Sequence, residues 1–455
     1  MTNGEADAPA TEEQQPAAEA AEAVVVDRDA HTISRRRIPE NVLKVLYRLH
    51  RSGYRAYLCG GSVRDLLTNR APKDFDVATD AHPMEIRRLF RNSRIIGRRF
   101  RLVHIIFQDM IVEVSTFRRE PERPPDDAVD LLITDDNTFG SPLQDARRRD
   151  FTINALFYNI ADFSVIDYVG GLQDMEEKRV RVIGDPDVRF REDPVRMMRA
   201  IEFASRLEFS IDPATYDAIL RHRNEILKAS PPRVSEEILE LLRRGWSRGA
   251  FRLMVDAGLL EPLLPEVSRT IAGDRAPYFW KMLEVLDRTV QAGRKISDAV
   301  LLSVLLLPWI TQELEGKEER RPTMRIGEVI VFIRELIQPL VTRMALSAGT
   351  RHQIEQTLET MWRLLELRVR GYPIDKEQGY VSAGRHLYCR CRTRRRCLGV
   401  GPEGRSLRGH EWRRCGALRI ACEGAGADAS CRYVWRARRD GLRSRWEALC
   451  RRVFR

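Results

Sequence analysis

Residues 73–80 read KDFDVATD, and the placement of two aspartates in a strand-like stretch governs how the N-terminal half of the chain is read. Successive side chains of a strand point to opposite faces, so Asp74 and Asp76 share one face and Phe75 and Val77 the other. The apolar pair can pack inward. Two carboxylates are then left side by side, and each raises the other's pKa unless positive charge lies between them. A surface strand with two solvated acids has this pattern. So does a divalent-cation site built from the hard oxygen ligands that Mg²⁺ prefers. The neighbours decide between the two.

Just upstream, YRAYLCGG (54–61) is a short apolar strand ending in two glycines, and SVRDLLTN (62–69) is a short helix with Ser62 as its N-cap. Gly60 and Gly61 let the backbone approach a phosphate, and the helix N-terminus offers free N–H groups and partial positive charge. Arg64, one turn in, can pair with a phosphate through its planar fork. A Gly-Gly turn alone is ordinary turn chemistry. A phosphate cradle beside two carboxylates is what phosphoryl or nucleotidyl transfer requires, and the combination is far more specific than either half.

Four motifs occur in order: GGSVRD at 60–65, DFD at 74–76, RRDFTINAL at 148–156 and EDPVRMMRA at 192–200. Together they resemble the class II nucleotidyltransferases, the family of bacterial poly(A) polymerases and CCA-adding tRNA nucleotidyltransferases. The resemblance covers residues 35–270 well and a helical body to about 370 loosely. It implies an α+β fold, a polymerase-β-like nucleotidyltransferase head followed by an all-helical neck and body that cradle RNA. It also implies roles. Asp74 and Asp76 are the metal pair holding Mg²⁺, and Asp150 is the third acidic residue of the active centre. Gly60, Gly61, Arg64 and Arg149 contact the nucleotide. Asp193 and Arg196 recognise the incoming base, with Arg199 one helical step further. A carboxylate and a guanidinium at i and i+3 share a helix face and present adjacent acceptor and donors, although an intrahelical salt bridge has the same pattern. Glu113, in IVEVSTF, is expected to face the same cleft in a supporting place, and His104 to be structural.

IIGRRFRL at 95–102 resembles the stretch that marks the polyadenylating members. Arg98, Arg99 and Arg101 are expected to bind RNA there, with a stacked base on the aromatic; a basic turn between a helix and a hairpin is the bland alternative. The expected reaction is addition of AMP from ATP to RNA 3′ ends, with release of pyrophosphate, in mRNA processing and decay. CCA addition is the alternative, and a catalytically silent RNA-binding protein is a second one that an intact Asp74, Asp76 and Asp150 set argues against. The expected partners are RNA 3′ ends, ATP and RNA-decay or RNA-chaperone proteins, with no membrane.

With 455 residues, 43% of them hydrophobic, the chain can bury several cores. No run of about 18 uninterrupted apolar residues marks a membrane span. Residues 1–34 read as a disordered acidic leader without a secretory signal, which makes the cytoplasm the expected location. Residues 35–170 are expected to form the head, 171–232 neck helices, and 233–370 the body. Amphipathic stretches place helices at 38–50, 82–90 and 147–160, and RLVHIIF with IVEVSTF as a hairpin. The Pro- and Asp-rich 119–140 is expected to be a flexible loop.

The formal charge of +11 is misleading. Residues 384–455 hold twenty Arg and no Lys against six acids, a surplus of 14, so the other 383 residues carry a net −3. Seven of the eight cysteines also lie in the segment 371–455. Three readings of it stand: a zinc module poorly served by its C-x-C-x5-C spacing, an arginine-rich RNA-binding arm, and a segment translated out of frame, which is preferred.

Overall fold

A computed structural model describes residues 23–97, 101–119, 138–320 and 326–369, and the backbone of two short strands at 399–400 and 406–407; at 316–320, 326 and 363–369 it describes the backbone alone. The expected leader to residue 22, most of the 119–140 loop and nearly all of the Arg- and Cys-rich tail lie outside the described residues.

The head is built on an eight-stranded sheet. Its strands are β1 (Val24–Val26), β2 (Ala56–Cys59), β3 (Asp76–Thr79), β4 (Ser93–Ile96), β5 (Leu102–Ile106), β6 (Ile111–Thr116), β7 (Leu156–Asn159) and β8 (Val165–Asp167), in the order β1-β8-β7-β2-β3-β6-β5-β4. All neighbours run antiparallel except β3 and β6. Alternation sorts the side chains into two layers. Leu58, Val77, Val114 and Tyr158 pack on one face with Val42, Val45, Leu46 and Leu49 of helix α1 (Glu40–Arg51). Tyr57, Cys59, Ala78 and Phe157 fill the other. Phe75 and Val77 join the first layer, as expected, which leaves Asp76 on the second face.

Several expectations need correction. Residues 23–34 are not a disordered leader: β1 pairs with β8, and the His31 Nε2 meets the Phe163 carbonyl oxygen at 2.8 Å. β3 starts at Asp76, so Asp74 precedes the strand rather than lying in it. Ser62 is not the cap of helix α2 (Gly61–Leu67). Gly60 occupies the N-cap, and the Ser62 hydroxyl donates to the Cys59 carbonyl at 2.9 Å. After α3 (Pro83–Leu89), the edge strand β4 takes in Ile95 and Ile96, the first two residues of the 95–102 stretch.

Residues 147–160 do not form one helix. Helix α4 (Pro142–Arg148) ends there, a single 3-10 turn spans Thr152–Asn154, and Leu156–Asn159 is a central strand. β7 is paired on both edges and three of its four residues are buried, so it reads as a continuous apolar run that periodicity cannot tell from a buried helix.

Next come α5 (Gly171–Glu176), α6 (Pro186–Glu192), α7 (Val195–Leu207), α8 (Pro213–His222), α9 (Pro231–Arg243) and α10 (Ser247–Asp256). The chain divides into two compact units, one of residues up to 241 plus 249–265, the other of 242–248 plus 266 onward. The second unit is helical, with α12 (Pro265–Ala272), α13 (Ala276–Gln291), α14 (Asp298–Arg320), α15 (Ile326–Arg343) and α16 (Ala348–Val369) following the short α11 (Leu260–Leu263). Its Asp287 accepts from the Ser247 N–H and hydroxyl at 2.7 and 2.6 Å and from the Arg248 N–H at 2.9 Å, which satisfies orphan donors at the start of α10. Among the described residues no helix is long and apolar enough to cross a membrane.

Candidate active site

The site grows from the end of β2. Gly60 has φ 72° and ψ −141°, a backbone conformation that a side chain would strain, and its N–H donates to the Leu156 carbonyl at 3.2 Å. A Cβ built on Gly60 would lie 3.3 Å from the Arg149 Nη1 and 3.9 Å from the Asp76 Oδ2. The bare backbone therefore opens a gap between a guanidinium and a carboxylate.

Asp76 stands in register with Cys59 of β2 on one side and Glu113 of β6 on the other. Burial pushes its carboxyl up to about 6; Glu113 and Asp74 push the same way and Arg149 opposes. Asp74 is exposed, 3.7 Å from Lys73. Glu113 also meets the His104 Nε2 at 3.2 Å, so His104 touches the acidic row rather than serving the core alone. Asp76, with Glu113 beside it and Asp74 close enough to act on its carboxyl, offers the hard oxygen donors that a divalent cation prefers. Among the described residues no group of three or more acidic, His or Cys side chains is placed to hold a metal ion. A partial protein shell is what Mg²⁺ uses when it keeps waters and substrate phosphates as its other ligands.

Arg149 is held from behind. Its Nε and Nη2 donate to the Asp145 Oδ2 at 3.2 and 2.9 Å, its Nη1 donates to the Asn154 carbonyl at 3.3 Å, and it lies over the Phe157 ring. Burial works against its charge, but the Cys59 sulfur and the Asp145 carboxylate more than compensate. The Cys59 thiol is itself pushed up by burial to about 11 and is neutral at physiological pH, so Asp145 is the partner that matters. Asp145, which also pairs with Arg148 at 3.0 Å, was not anticipated; its i,i+4 spacing to Arg149 was the available signal.

Arg64 differs from its expected role. Its side chain is buried, with Nε and Nη2 donating to the Asp65 Oδ1 at 2.9 and 2.7 Å and Nη1 to the Asn154 Oδ1. It braces the cradle helix from inside. The Gly61 backbone lies against it, with a built Cβ 3.2 Å from the Arg64 Nη2.

Asp150 is gathered with the neck helix. Its Oδ2 is 2.8 Å from the Arg199 Nη2, and its Oδ1 accepts from the Phe151 N–H at 2.8 Å and the Asn154 Nδ2 at 3.2 Å. Burial alone would raise its pKa, but Arg199 and these donors hold the carboxyl below the usual range. Glu237 of α9 also acts on Arg199 and is raised by burial to about 7, with Arg199 opposing and Glu202 adding.

The helix-face pairing of Asp193 with Arg196 is corrected. Asp193 sits between two helices with an extended backbone, φ −150° and ψ 91°, because the residue before a proline is disfavoured in helix and Pro194 follows it. Its carboxylate is gripped by Arg233, with Nη1 on Oδ1 at 2.9 Å and Nη2 on Oδ2 at 2.8 Å. Arg196 donates from Nη1 to the Arg189 carbonyl at 3.0 Å and to the Glu192 Oε2 at 3.3 Å. Arg189 is only 2% exposed. It pairs with Glu192 at 3.1 Å and donates from Nη2 to the carbonyls of Arg148 and Arg149 at 2.6 and 2.8 Å. Arg189, held by Glu192, braces the loop carrying Asp150, and Arg233 fixes Asp193; the Arg189 and Arg233 contacts span 40 residues or more and give no local sequence signal, whereas the Arg189–Glu192 pair is an i,i+3 neighbour.

Of the expected RNA-binding arginines, Arg98 and Arg99 lie outside the described residues. Arg101 is exposed and leads into β5, while Ile95 and Ile96 end β4. Ile95 and Ile96 thus lie on the edge strand β4, paired with Val103 and Leu102 of β5.

Residues 56–181 match the family described as the poly A polymerase head domain, and residues 208–271 the one described as a probable RNA- and SrmB-binding site of polymerase A. The chain is 44% identical over 291 residues to poly(A) polymerase I of Salmonella typhimurium, covering 62% of this chain and 63% of that protein. It is 47% identical over 251 residues to poly(A) polymerase I of Escherichia coli O6:H1, covering 54% of each. A CCA-adding enzyme of Lactobacillus gasseri is 40% identical over 220 residues, 48% of this chain and 54% of that protein. The chain thus spans less than two thirds of the length of these relatives. A solved structure titled tRNA-processing enzyme (apo form 2) shares the fold over 72% of this chain and 84% of that one, with a TM-score of 0.50 and 24% identity.

Proposed function

We propose that this chain, which belongs through residues 56–181 to the poly A polymerase head-domain family of class II nucleotidyltransferases, adds AMP from ATP to RNA 3′ ends in the cytoplasm. The observation that carries the reading is the gap at Gly60, where bare backbone separates the Arg149 guanidinium from the Asp76 carboxylate. A phosphate oxygen admitted there meets positive charge on one side, and the acidic row of Asp74, Asp76 and Glu113 lies on the other. Asp74 and Asp76 would hold Mg²⁺. When bound, it supplies charge neutralisation for a triphosphate and makes a 3′-hydroxyl easier to deprotonate.

This chain's own residues do the placing. Gly60 and Gly61 present backbone to the phosphates, and Arg149, fixed by Asp145, faces the α-phosphate. Arg64 and Asp150 act behind the surface, Arg64 by stiffening the cradle helix and Asp150 by seating Arg199. The 3′-oxygen bonds to the α-phosphorus, the bond to the bridging oxygen breaks, and pyrophosphate leaves. Asp193 and Arg196 stand at the start of α7, where they favour adenine. Arg98, Arg99 and Arg101, which follow β4 in the sequence, would offer positive charge to the RNA backbone.

Polyadenylation is favoured over CCA addition by IIGRRFRL at 95–102. The alignment with poly(A) polymerase I is also longer and more identical than that with the CCA-adding enzyme. The test is substitution: Asp74→Ala and Asp76→Ala should each abolish AMP incorporation while the circular dichroism spectrum is kept. Near-normal turnover in either variant would contradict the reading.

A further inference from the structure

Helix α7 presents Arg199, Phe203 and Arg206 along one stripe, at spacings of four and three. Phe203 is 7% exposed, and the guanidinium carbons of Arg64, Arg199 and Arg206 lie 5.2, 5.6 and 5.9 Å from its ring centroid. Three cations converge on one ring because carboxylates neutralise them: Asp150 serves Arg199, and Asp65 serves both others. The Asp65 carboxylate accepts from Arg64 of its own helix and from the Arg206 Nη2 at 3.3 and 3.2 Å. Arg206 also reaches Glu202 at 3.4 Å.

A second tie lies just beyond. Arg70, in the loop after α2, donates from Nη1 to the Arg206 carbonyl at 2.8 Å and from Nη2 to the Leu207 carbonyl at 3.4 Å. Those carbonyls belong to the last turn of α7, which has no intrahelical donors for them. Arg37 holds the same loop, donating to the Leu66 carbonyl at 3.2 Å, the Asn69 Oδ1 at 3.0 Å and the Arg70 carbonyl at 2.6 Å. The pairings of Arg64 with Phe203, Asp65 with Arg206, and Arg70 with the 206–207 carbonyls run in the same sense along both helices. They tie α2 and the loop after it to the C-terminal half of α7. The Gly60–Gly61 cradle lies at the N-terminal end of α2, and Asp193 to Arg196 at that of α7.

We propose that Asp65, Arg206 and Arg70 form a strut that locks α7 onto α2, making Arg206 a positioning residue that sets the distance between the phosphate cradle and the base-selecting segment. Two rigid rods tied at one end fix the spacing at the other, and a nucleotide gripped at triphosphate and base senses errors in that spacing. The inference rests on the nucleotidyltransferase reading.

The test compares wild type with Arg206→Ala, Arg206→Lys, Asp65→Asn, the Asp65→Asn/Arg206→Ala double variant and the milder Arg70→Ala, in the full chain with Mg²⁺. Arg206→Ala should raise the KM for ATP about tenfold and lower the preference for ATP over CTP, with kcat changed less than about threefold and the KM for RNA unchanged. Arg206→Lys should recover most of the loss, Arg70→Ala should show a smaller shift of the same kind, and the double variant should be no worse than the worse single. An unchanged KM for ATP and unchanged preference would overturn the strut, as would a uniform fall of every parameter with the fraction of folded protein. Hydrogen exchange over 61–67 and 195–207 separates this failure from failure of the underlying reading. If wild type transfers no nucleotide, the reading falls. Faster exchange in both helices of Arg206→Ala still supports the strut, and unchanged exchange removes it.

Discussion

Arg233 grips Asp193 with both arms of its guanidinium, Nη1 on Oδ1 at 2.9 Å and Nη2 on Oδ2 at 2.8 Å, across 40 residues of sequence. Such a fork fixes the direction of a carboxylate as well as its charge. Asp193 has no helix of its own to orient it, since it lies in the extended link between α6 and α7.

Arg233→Ala should therefore lower kcat/KM for ATP by about tenfold, on the order of 1.4 kcal/mol, with little change in thermal stability, because Arg233 is partly exposed. Arg233→Lys should rescue only part of this, since an ammonium cannot bridge both oxygens. Steady-state kinetics with ATP varied at saturating RNA measures it. An unchanged kcat/KM in Arg233→Ala would show that Asp193 needs no such clamp.

Asp76 sets function against stability. Its folded-state carboxyl lies at about 6, above the ordinary carboxylate range, because burial and the neighbouring Glu113 disfavour charge. The raised value means that the proton is bound more tightly in the folded chain. The group's contribution to stability is fully present below about pH 4 and is lost as pH rises through about 6. Asp76→Asn should thus be more stable than wild type at pH 8 in EDTA, by on the order of 1–2 kcal/mol, and near parity at pH 4.5. It should also be inactive. Urea unfolding at the two pH values tests the sign, and a variant less stable than wild type at pH 8 would show that Asp76 is not a strained charge.

Arg189 is the brace whose loss should be felt most in stability. It is nearly fully buried, pairs with buried Glu192, and caps the carbonyls of Arg148 and Arg149. Arg189→Ala should cost about 3 kcal/mol, since it strands two carbonyls and leaves the buried Glu192 carboxylate to Arg196 alone. Adding Glu192→Gln should recover part of that cost. Denaturant midpoints read both effects, and a loss below about 0.5 kcal/mol would place Arg189 among ordinary surface charges.

What could be read from sequence followed the range of the interaction. The β2–Gly-Gly–α2 turn, the β5–β6 hairpin and the apolar face of α1 are local patterns, and each stands where its periodicity puts it. β7 was hidden because burial on both faces erases alternation. Pro194 could have warned against a shared helix for Asp193 and Arg196, since proline disfavours helix in the residue before it. The pairings of Asp193 with Arg233, Asp65 with Arg206, and Arg189 with the end of α4 span 40 residues or more, and no spacing rule reaches them. Glu113 is the intermediate case. Its strand was legible, but only the parallel register of β3 and β6 sets it beside Asp76.

The most direct test of the central claim is a 3′-extension assay on two RNAs, a generic oligonucleotide and a tRNA lacking its terminal CCA, with Mg²⁺ and each nucleoside triphosphate supplied separately. Long extension of both RNAs with ATP alone is the result expected of an RNA 3′-end adenylyltransferase. Extension that requires CTP first and stops after three residues on the tRNA, with the oligonucleotide untouched, would contradict it.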